Sequence, residues 1–114
     1  MGVSVTKQHF DGRDQALDLI ESLHLFPRDG ALASGDLEDI HWHQTSLRIY
    51  VLAGSFETKD VATDSLLQAV AGDLIVIPAR TLHAARCPDP ATYVVGFESE
   101  SAMASFRPED PAAL

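Results

Sequence analysis

Cysteine is nearly absent from this 114-residue chain, where Cys87 is the only one. A single thiol excludes an internal disulfide and any zinc finger built from several cysteines. It also fits a protein of a reducing cytosol. Positive charge is scarce too. Eight Lys and Arg stand against 17 Asp and Glu, a formal net charge of −9. Such a chain repels phosphate backbones and anionic bilayers, so neither nucleic acid nor membrane is an expected partner. No apolar run approaches the ~20 residues of a membrane helix. The segment Met1-Gly2-Val3-Ser4-Val5-Thr6 lacks the basic and apolar parts of a secretory signal. It matches the loose N-myristoylation pattern, yet Val3 and Val5 alternate as in an edge strand, which is the reading adopted. There is no phosphate loop, dinucleotide fingerprint or nucleophile elbow.

What is present is the composition of one globular domain, 46% hydrophobic and 22% charged, taken here as residues 1–114. Val3 to Phe10 reads as a strand. Asp11 then reads as a helix N-cap, with Asp14 in a capping-box position. Ala16, Leu17, Leu19, Ile20 and Leu23 form a helical apolar stripe that ends near His24 and Leu25, with Pro27 and Gly30 as the stop. From Ala31 to Glu98 the pattern becomes eight short strands: Ala31–Ala33, Asp39–His43, Leu47–Leu52, Ser55–Thr58, Leu66–Val70, Asp73–Ile77, Leu82–Arg86 and Thr92–Glu98. Breaks are placed at Ser34-Gly35, Ala53-Gly54, Ala71-Gly72-Asp73, Pro78 and Pro88-Asp89-Pro90. That spacing predicts an all-β sandwich or barrel with one N-terminal helix, its core at about 31–98. The tail, 99–114, is expected to lie along the surface or fray.

The chemistry concentrates in histidine. His41-Trp42-His43 falls in a strand-like stretch, where alternate residues share a face, so both imidazoles can point into a barrel while Trp42 points out. His83 follows forty residues later, after the apolar run Leu74-Ile75-Val76-Ile77 and Pro78. Three neutral nitrogens brought together on two strands suit Fe, Zn, Ni, Mn or Cu.

These residues resemble the cupin family. Its first motif is Gly-x5-His-x-His-x3-4-Glu-x6-Gly, and Gly35, His41, His43 and Gly54 fall in register. Its second is Gly-x5-Pro-x-Gly-x2-His-x3-Asn, matched by Gly72, Pro78 and His83. The resemblance covers about Gly35 to Glu98 and implies a double-stranded β-helix, or jelly-roll barrel. It also implies a divalent metal on His41, His43 and His83, and a homodimer. Three positions depart from the pattern. Leu47 stands where the family's metal-binding Glu stands, Arg80 replaces a turn glycine, and Cys87 replaces the closing Asn. Leu47 leaves a three-His site like those of thiol dioxygenases and a β-diketone dioxygenase, and argues against oxalate-type and isomerase-type activities.

Around that site the expected pocket residues are Leu47, Arg48, Ile49 and Cys87, with Val51, Leu74 and Val76 making its walls apolar. Arg48 and Tyr50 alternate onto the outer face unless a bulge turns Arg48 inward as an anion clamp. His9 and His24 read as surface or packing residues. Glu57 and Glu98 read as solvated carboxylates. Trp42, Tyr50 and Leu52 are expected to form an outer apolar patch for dimerisation. The function expected is metal-dependent turnover of a small organic molecule, an oxygenase with a three-His centre. The alternative is a non-catalytic module that binds metal or a small ligand. Metal binding is expected to fail on mild acidification, because protons compete for the imidazoles.

Overall fold

The computed structural model describes residues 2–114. The elements run β1 (Ser4–Thr6), α1 (Gly12–Ser22), β2 (Phe26–Leu32), β3 (Leu37–His41), β4 (Leu47–Asp60), β5 (Ser65–Val70), β6 (Leu74–Ile77), β7 (His83–Phe97) and α2 (Glu100–Ala104), before a final 3-10 turn at Pro111–Ala113. Two long strands organise everything else. β4 and β7 pair antiparallel along almost their whole lengths, from Leu47 opposite Phe97 to Asp60 opposite His83. The first half of β4 also pairs with β6, which carries β1, and the second half of β7 pairs with β2. The other halves pair with β5 and β3. Two sheets thus share β4 and β7 as a common spine, the arrangement of a jelly roll.

The expected breaks at Ala53-Gly54 and Pro88-Asp89-Pro90 are not strand ends. Both are bends within β4 and β7, where the ladder between them slips register. Gly54 has φ +80°, and a Cβ there would sit 1.9 Å from the Pro90 carbonyl oxygen. Only glycine permits that conformation and that approach. Pro88 and Pro90 lie between the part of β7 paired with β3, which ends at Arg86, and the part paired with β2, which starts at Ala91. There the missing N–H leaves no flanking ladder incomplete. For the same reason Pro27 does not stop a helix; it lies in β2, which pairs only with β7.

The bend in β4 also exchanges the faces of the strand. Before it Leu47, Ile49 and Val51 point inward; after it the alternating positions Phe56, Thr58 and Asp60 are buried, next to a buried Ser55. One extra residue shifts the alternation by one, as a bulge must. The inner cluster joins Leu47, Ile49 and Phe56 to Ile75, Ile77, Val95 and Phe97. Leu74 and Val76, expected inward, belong instead to the outer face of β6. Leu74 and Val94 lie in register on either side of Tyr50, and α1 covers this row with Ala16 and Ile20, helped by Phe10. Tyr50 is therefore fully buried, with Phe10 edge-on at 5.4 Å.

That packing removes the dimer patch inferred from the sequence. Tyr50 and Leu52 are packed in the cluster under α1, and Trp42 is only 3% exposed. Trp42 does leave the barrel interior as expected, but the C-terminal tail covers it. Its backbone pairs with Glu109, and its Nε1–H donates to the Asp110 carbonyl at 2.9 Å. The tail is thus docked rather than frayed. The N-terminus of α1 departs in a smaller way. Asp11 is the N-cap but makes no side-chain cap; its N–H is met by the Gln15 Oε1. No helix among the described residues is long and apolar enough to cross a membrane.

Gly54→Ala should lower unfolding stability by more than about 2 kcal/mol, since the left-handed φ and the clash with backbone at Pro90 act together. Urea denaturation checks this; a midpoint within error of the parent would show that the bend does not need glycine.

Candidate metal centre

His41 ends β3 and His83 opens β7, and the two are direct cross-strand partners. His43 follows His41 by two residues, just past the strand. Cross-strand partners lie on one face of a sheet, so the register brings His41 and His83 together, and His43, two residues on, completes the group. Their ring centroids are 4.3 to 5.1 Å apart, and one nitrogen from each falls within 4.8 Å of the others. All three residues are buried, at 6%, 6% and 2% exposure.

Each ring is held by its outer nitrogen. The Nδ1–H of His41 donates to the Asp39 carbonyl at 2.5 Å, that of His43 to the Arg107 carbonyl at 3.0 Å, and that of His83 to the Thr81 carbonyl at 2.8 Å. A carbonyl oxygen only accepts, so each Nδ1 carries the proton and each Nε2 keeps a free lone pair. The Nε2 atoms of His41 and His43 face each other at 3.1 Å. Two lone pairs at that distance repel unless a positive charge lies between them. Burial disfavours a proton on the His43 ring. Burial, and then the neighbouring imidazoles, push His83 from 6.5 down to about 4. Burial also lowers His43, assisted by His41 and opposed by the Arg107 carbonyl. A divalent metal fits the donor set, because neutral imidazoles fixed through Nδ1 by backbone carbonyls are the usual orientation of metal-ligating histidine.

The site opens on a cavity of about 110 Å³. His43 and His83 are among its polar lining residues. Leu47, Ile49, Phe56 and Val95 are its apolar walls, and Arg28, Glu38 and Tyr93 are also among its lining residues. Of the expected pocket residues the structure brings Leu47 and Ile49 to the cavity and leaves two out. Arg48 stays on the outer face, its Nε–H donating to the Tyr50 hydroxyl at 3.2 Å. The bulge that could have turned it inward occurs later, at Gly54. Cys87 is fully buried in the core beside the cavity, its thiol donating to the Asp89 carbonyl at 2.7 Å. Burial pushes that thiol's pKa up, so it is an inert packing group.

No carboxylate joins the three nitrogens in the cluster. Glu57 pairs with Arg86 at 2.5 Å, and Glu98 accepts from Thr45 and from the Ser46 N–H. Asp60, opposite His83 in register, is occupied by the N–H groups of Val3 and Ala62. His9 and His24 are exposed and lie outside the cluster. Arg80 keeps the conformation of the glycine it replaces, with φ +61°. Its N–H donates to the His43 carbonyl at 2.9 Å, and its guanidinium lies 5.1 Å from the centre of the Trp42 ring.

Three residues that sequence reading missed shape this site. Phe106 lines the cavity and lies against the His43 ring at 4.6 Å. Arg107 orients His43 through its carbonyl. Thr58 lines the cavity, and its fully buried hydroxyl has no hydrogen-bond partner among the described residues. A buried hydroxyl left in that state costs about 1–3 kcal/mol.

No protein-family model matches the sequence. No curated protein matches it. Solved structures do share its architecture, among them an RmlC-like cupin from Shewanella frigidimarina, 22% identical, with a TM-score of 0.57 over 69% of this chain and 70% of that one. This chain has the cupin fold. A DUF861 family protein from Thermotoga maritima, 14% identical, aligns with a TM-score of 0.59 over 83% of this cupin-fold chain and 98% of its own. A variant of salicylate 1,2-dioxygenase from Pseudoaminobacter salicylatoxidans, 12% identical, aligns at 0.60 over 75% of this chain but only 25% of the enzyme. The match spans 60% of a Streptococcus pyogenes protein of unknown function.

Burial sets the direction of the expected acid sensitivity. Metal should be retained at pH 7.5 and lost progressively as the pH falls below 6.5 toward the value of about 4 to which burial lowers His83. The sign follows from the unfolded chain. It binds protons between 6.5 and 4 that native His83 refuses, so the native state's advantage is complete above 6.5 and is lost down this window. Metal content after dialysis across this range checks it; release centred near pH 6.5 would contradict the buried geometry.

Proposed function

We propose that the protein is a metal-dependent enzyme acting on a small organic molecule, and that its reaction is an oxygenation at a three-His centre. The observation that carries this reading is a buried cluster of three imidazoles, without a carboxylate, two of which line a cavity with apolar walls. A divalent metal there would supply an open, positively charged centre for activating a ligand or dioxygen. His41, His43 and His83 would hold it. The chain's other residues act around that centre. Leu47 fills with a methyl-bearing side chain the position from which a Glu would reach the metal. Leu47, Ile49, Phe56 and Val95 exclude water and hold an apolar body. Phe106 shields the His43 ring. Salicylate 1,2-dioxygenase, which shares the fold, supports oxygenation as a chemistry that this scaffold can house.

The small volume bounds the ligand. An engineered apolar cavity of ~150 Å³ holds benzene, so about 110 Å³ admits a compact molecule, with any larger part extending through the opening. The homodimer implied by the family resemblance is retained as a proposal, now without support from the Trp42 and Tyr50 patch.

Protein purified without a metal-affinity tag should carry about one divalent metal per chain by elemental analysis, and should consume oxygen with a small diketone or thiol. Folded, metal-loaded Leu47→Glu should bind metal more tightly and change turnover by roughly tenfold or more, since about 1.4 kcal/mol in the barrier suffices. Full activity in that variant would overturn the open-site account. A folded variant that gains thermal stability but binds ligand unchanged would favour a binding module. Light scattering at tens of micromolar should give the mass of two chains; one chain's mass would reject the dimer.

A further inference from the structure

We propose that a cleft behind His43, separate from the apolar cavity, is the route by which a divalent cation reaches the three-His cluster, with Phe106 as its gate. The inference rests on the metal-site reading above and adds how that site is filled. His43 is bounded on two sides. One side is the cavity of about 110 Å³ already described. The other is an open cleft of about 260 Å³ between the C-terminal tail and the segment after β3. His43 and Phe106 are the two residues that line both. Their rings lie 4.6 Å apart, and together they form the partition between cleft and cavity.

The two sides offer a hydrated cation different passages. Charge does not separate them. Asp29 and Glu38 stand against Arg28 around the cavity, and Glu98 and Glu109 stand against Arg107 around the cleft. The walls do separate them. A hydrated divalent cation gives up water only where other oxygen or nitrogen atoms replace it. Leu47, Ile49, Phe56, Ile77 and Val95 offer none along the cavity. In the cleft Gln44, Thr45, Ser99 and Ser105 carry amide or hydroxyl groups on the way to His43. The apolar obstacle there is the Phe106 ring.

Phe106 is placed to move while its neighbours stay. It follows α2, a helix of five residues that buries none of them. Its N–H reaches the Met103 carbonyl at a long 3.4 Å. One residue further on the chain is pinned: the Arg107 carbonyl accepts from His43, and the Glu109 N–H donates to the Trp42 carbonyl. The half-buried ring thus lies between a weakly held helix end and a fixed strap. Segments with few buried contacts open at low cost. Phe97, edge-on at 5.2 Å, gives the ring its closed position. Swinging it out uncovers His43 without breaking the hydrogen bond that orients His43.

The test exploits Cys87, which is the only cysteine and is fully buried, so a bulky maleimide reaches only a thiol introduced at the surface. Gln44→Cys and Ser105→Cys place one in the cleft; Glu38→Cys places one at the cavity, on the face of its cross-strand partner Ala85. All three positions are exposed. Each capped apo-protein is mixed with Co(II), and uptake is followed by visible absorbance. Both cleft variants should load roughly tenfold more slowly than wild type treated alike, and Glu38→Cys within about twofold of it. Phe106→Ala should speed uptake and chelator-driven loss by the same factor, roughly tenfold, leaving Kd within about twofold, because a lower barrier serves both directions. Phe106→Leu should do so to a smaller extent, and it carries the test if Phe106→Ala fails to fold. Slow loading of capped Glu38→Cys alone would put the route through the cavity, and equal rates in all capped proteins would overturn the cleft as well. Faster loss without faster uptake in the Phe106 variants would make Phe106 a support for His43 and not a gate. A wild type that takes up no Co(II) would refute the metal site itself, a failure separable from that of the route.

Discussion

Three hydrogen bonds from imidazole Nδ1–H to backbone carbonyls govern this molecule's chemistry. They fix the tautomers of His41, His43 and His83, and so leave three free Nε2 lone pairs in one buried cluster. Without them each ring would rotate and present either nitrogen. The acceptors at Asp39 and Thr81 come from residues two positions before their histidines, so they form with the strands themselves. The acceptor for His43 is different. It lies 64 residues away, at Arg107, and exists only because the tail docks against Trp42. The site therefore depends on local geometry for two ligands and on a long-range contact for the third.

The barrel supplies the rest through β4 and β7. Each belongs to both sheets, and each bends where a residue that cannot continue a regular ladder is placed. The bend at Gly54 changes which residues of β4 face inward, so the strand contributes Leu47 and Ile49 from one half and Phe56 and Thr58 from the other to one cavity. The outer face of the first half is sealed by α1 on Tyr50. Inner and outer apolar residues thus serve separate clusters, and the helix needs no contact with the site to hold it in place.

Much of this was legible in the sequence. The two histidine segments, their forty-residue separation and the flanking glycines carried the three-His cluster, and the alternation of short apolar runs carried the jelly roll. Misread features have physical reasons. Glycine and proline mark both turns and bulges, so Ala53-Gly54 and Pro88 to Pro90 were read as ends instead of bends. In β6 the run Leu74-Ile75-Val76-Ile77 is apolar on both faces, so composition could not say which pair points inward. Cys87 was placed at the pocket rim by its parity with His83, and Arg48 by a bulge supposed to follow His43, whereas the bulge of β4 lies at Gly54. Nothing in the identity of Arg107 marks it as an orienting residue, because the group that acts is its backbone carbonyl. An unpartnered Thr58 cannot be recognised until its neighbours on β5 and β7 are known.

The docked tail has a thermodynamic consequence. Residues 107–110 lie alongside the strand end that carries His43, joined to it by the Arg107, Glu109 and Asp110 backbone bonds. Orientation of His43 and ordering of this segment are then two ends of one equilibrium. Whatever free energy metal binding gains from a pre-oriented His43 it returns, by reciprocity, as resistance of the C-terminal segment to detachment. The cation would thereby clamp a peptide segment that never touches it, and the affinity of the centre would report on the state of a terminus reached through one imidazole ring.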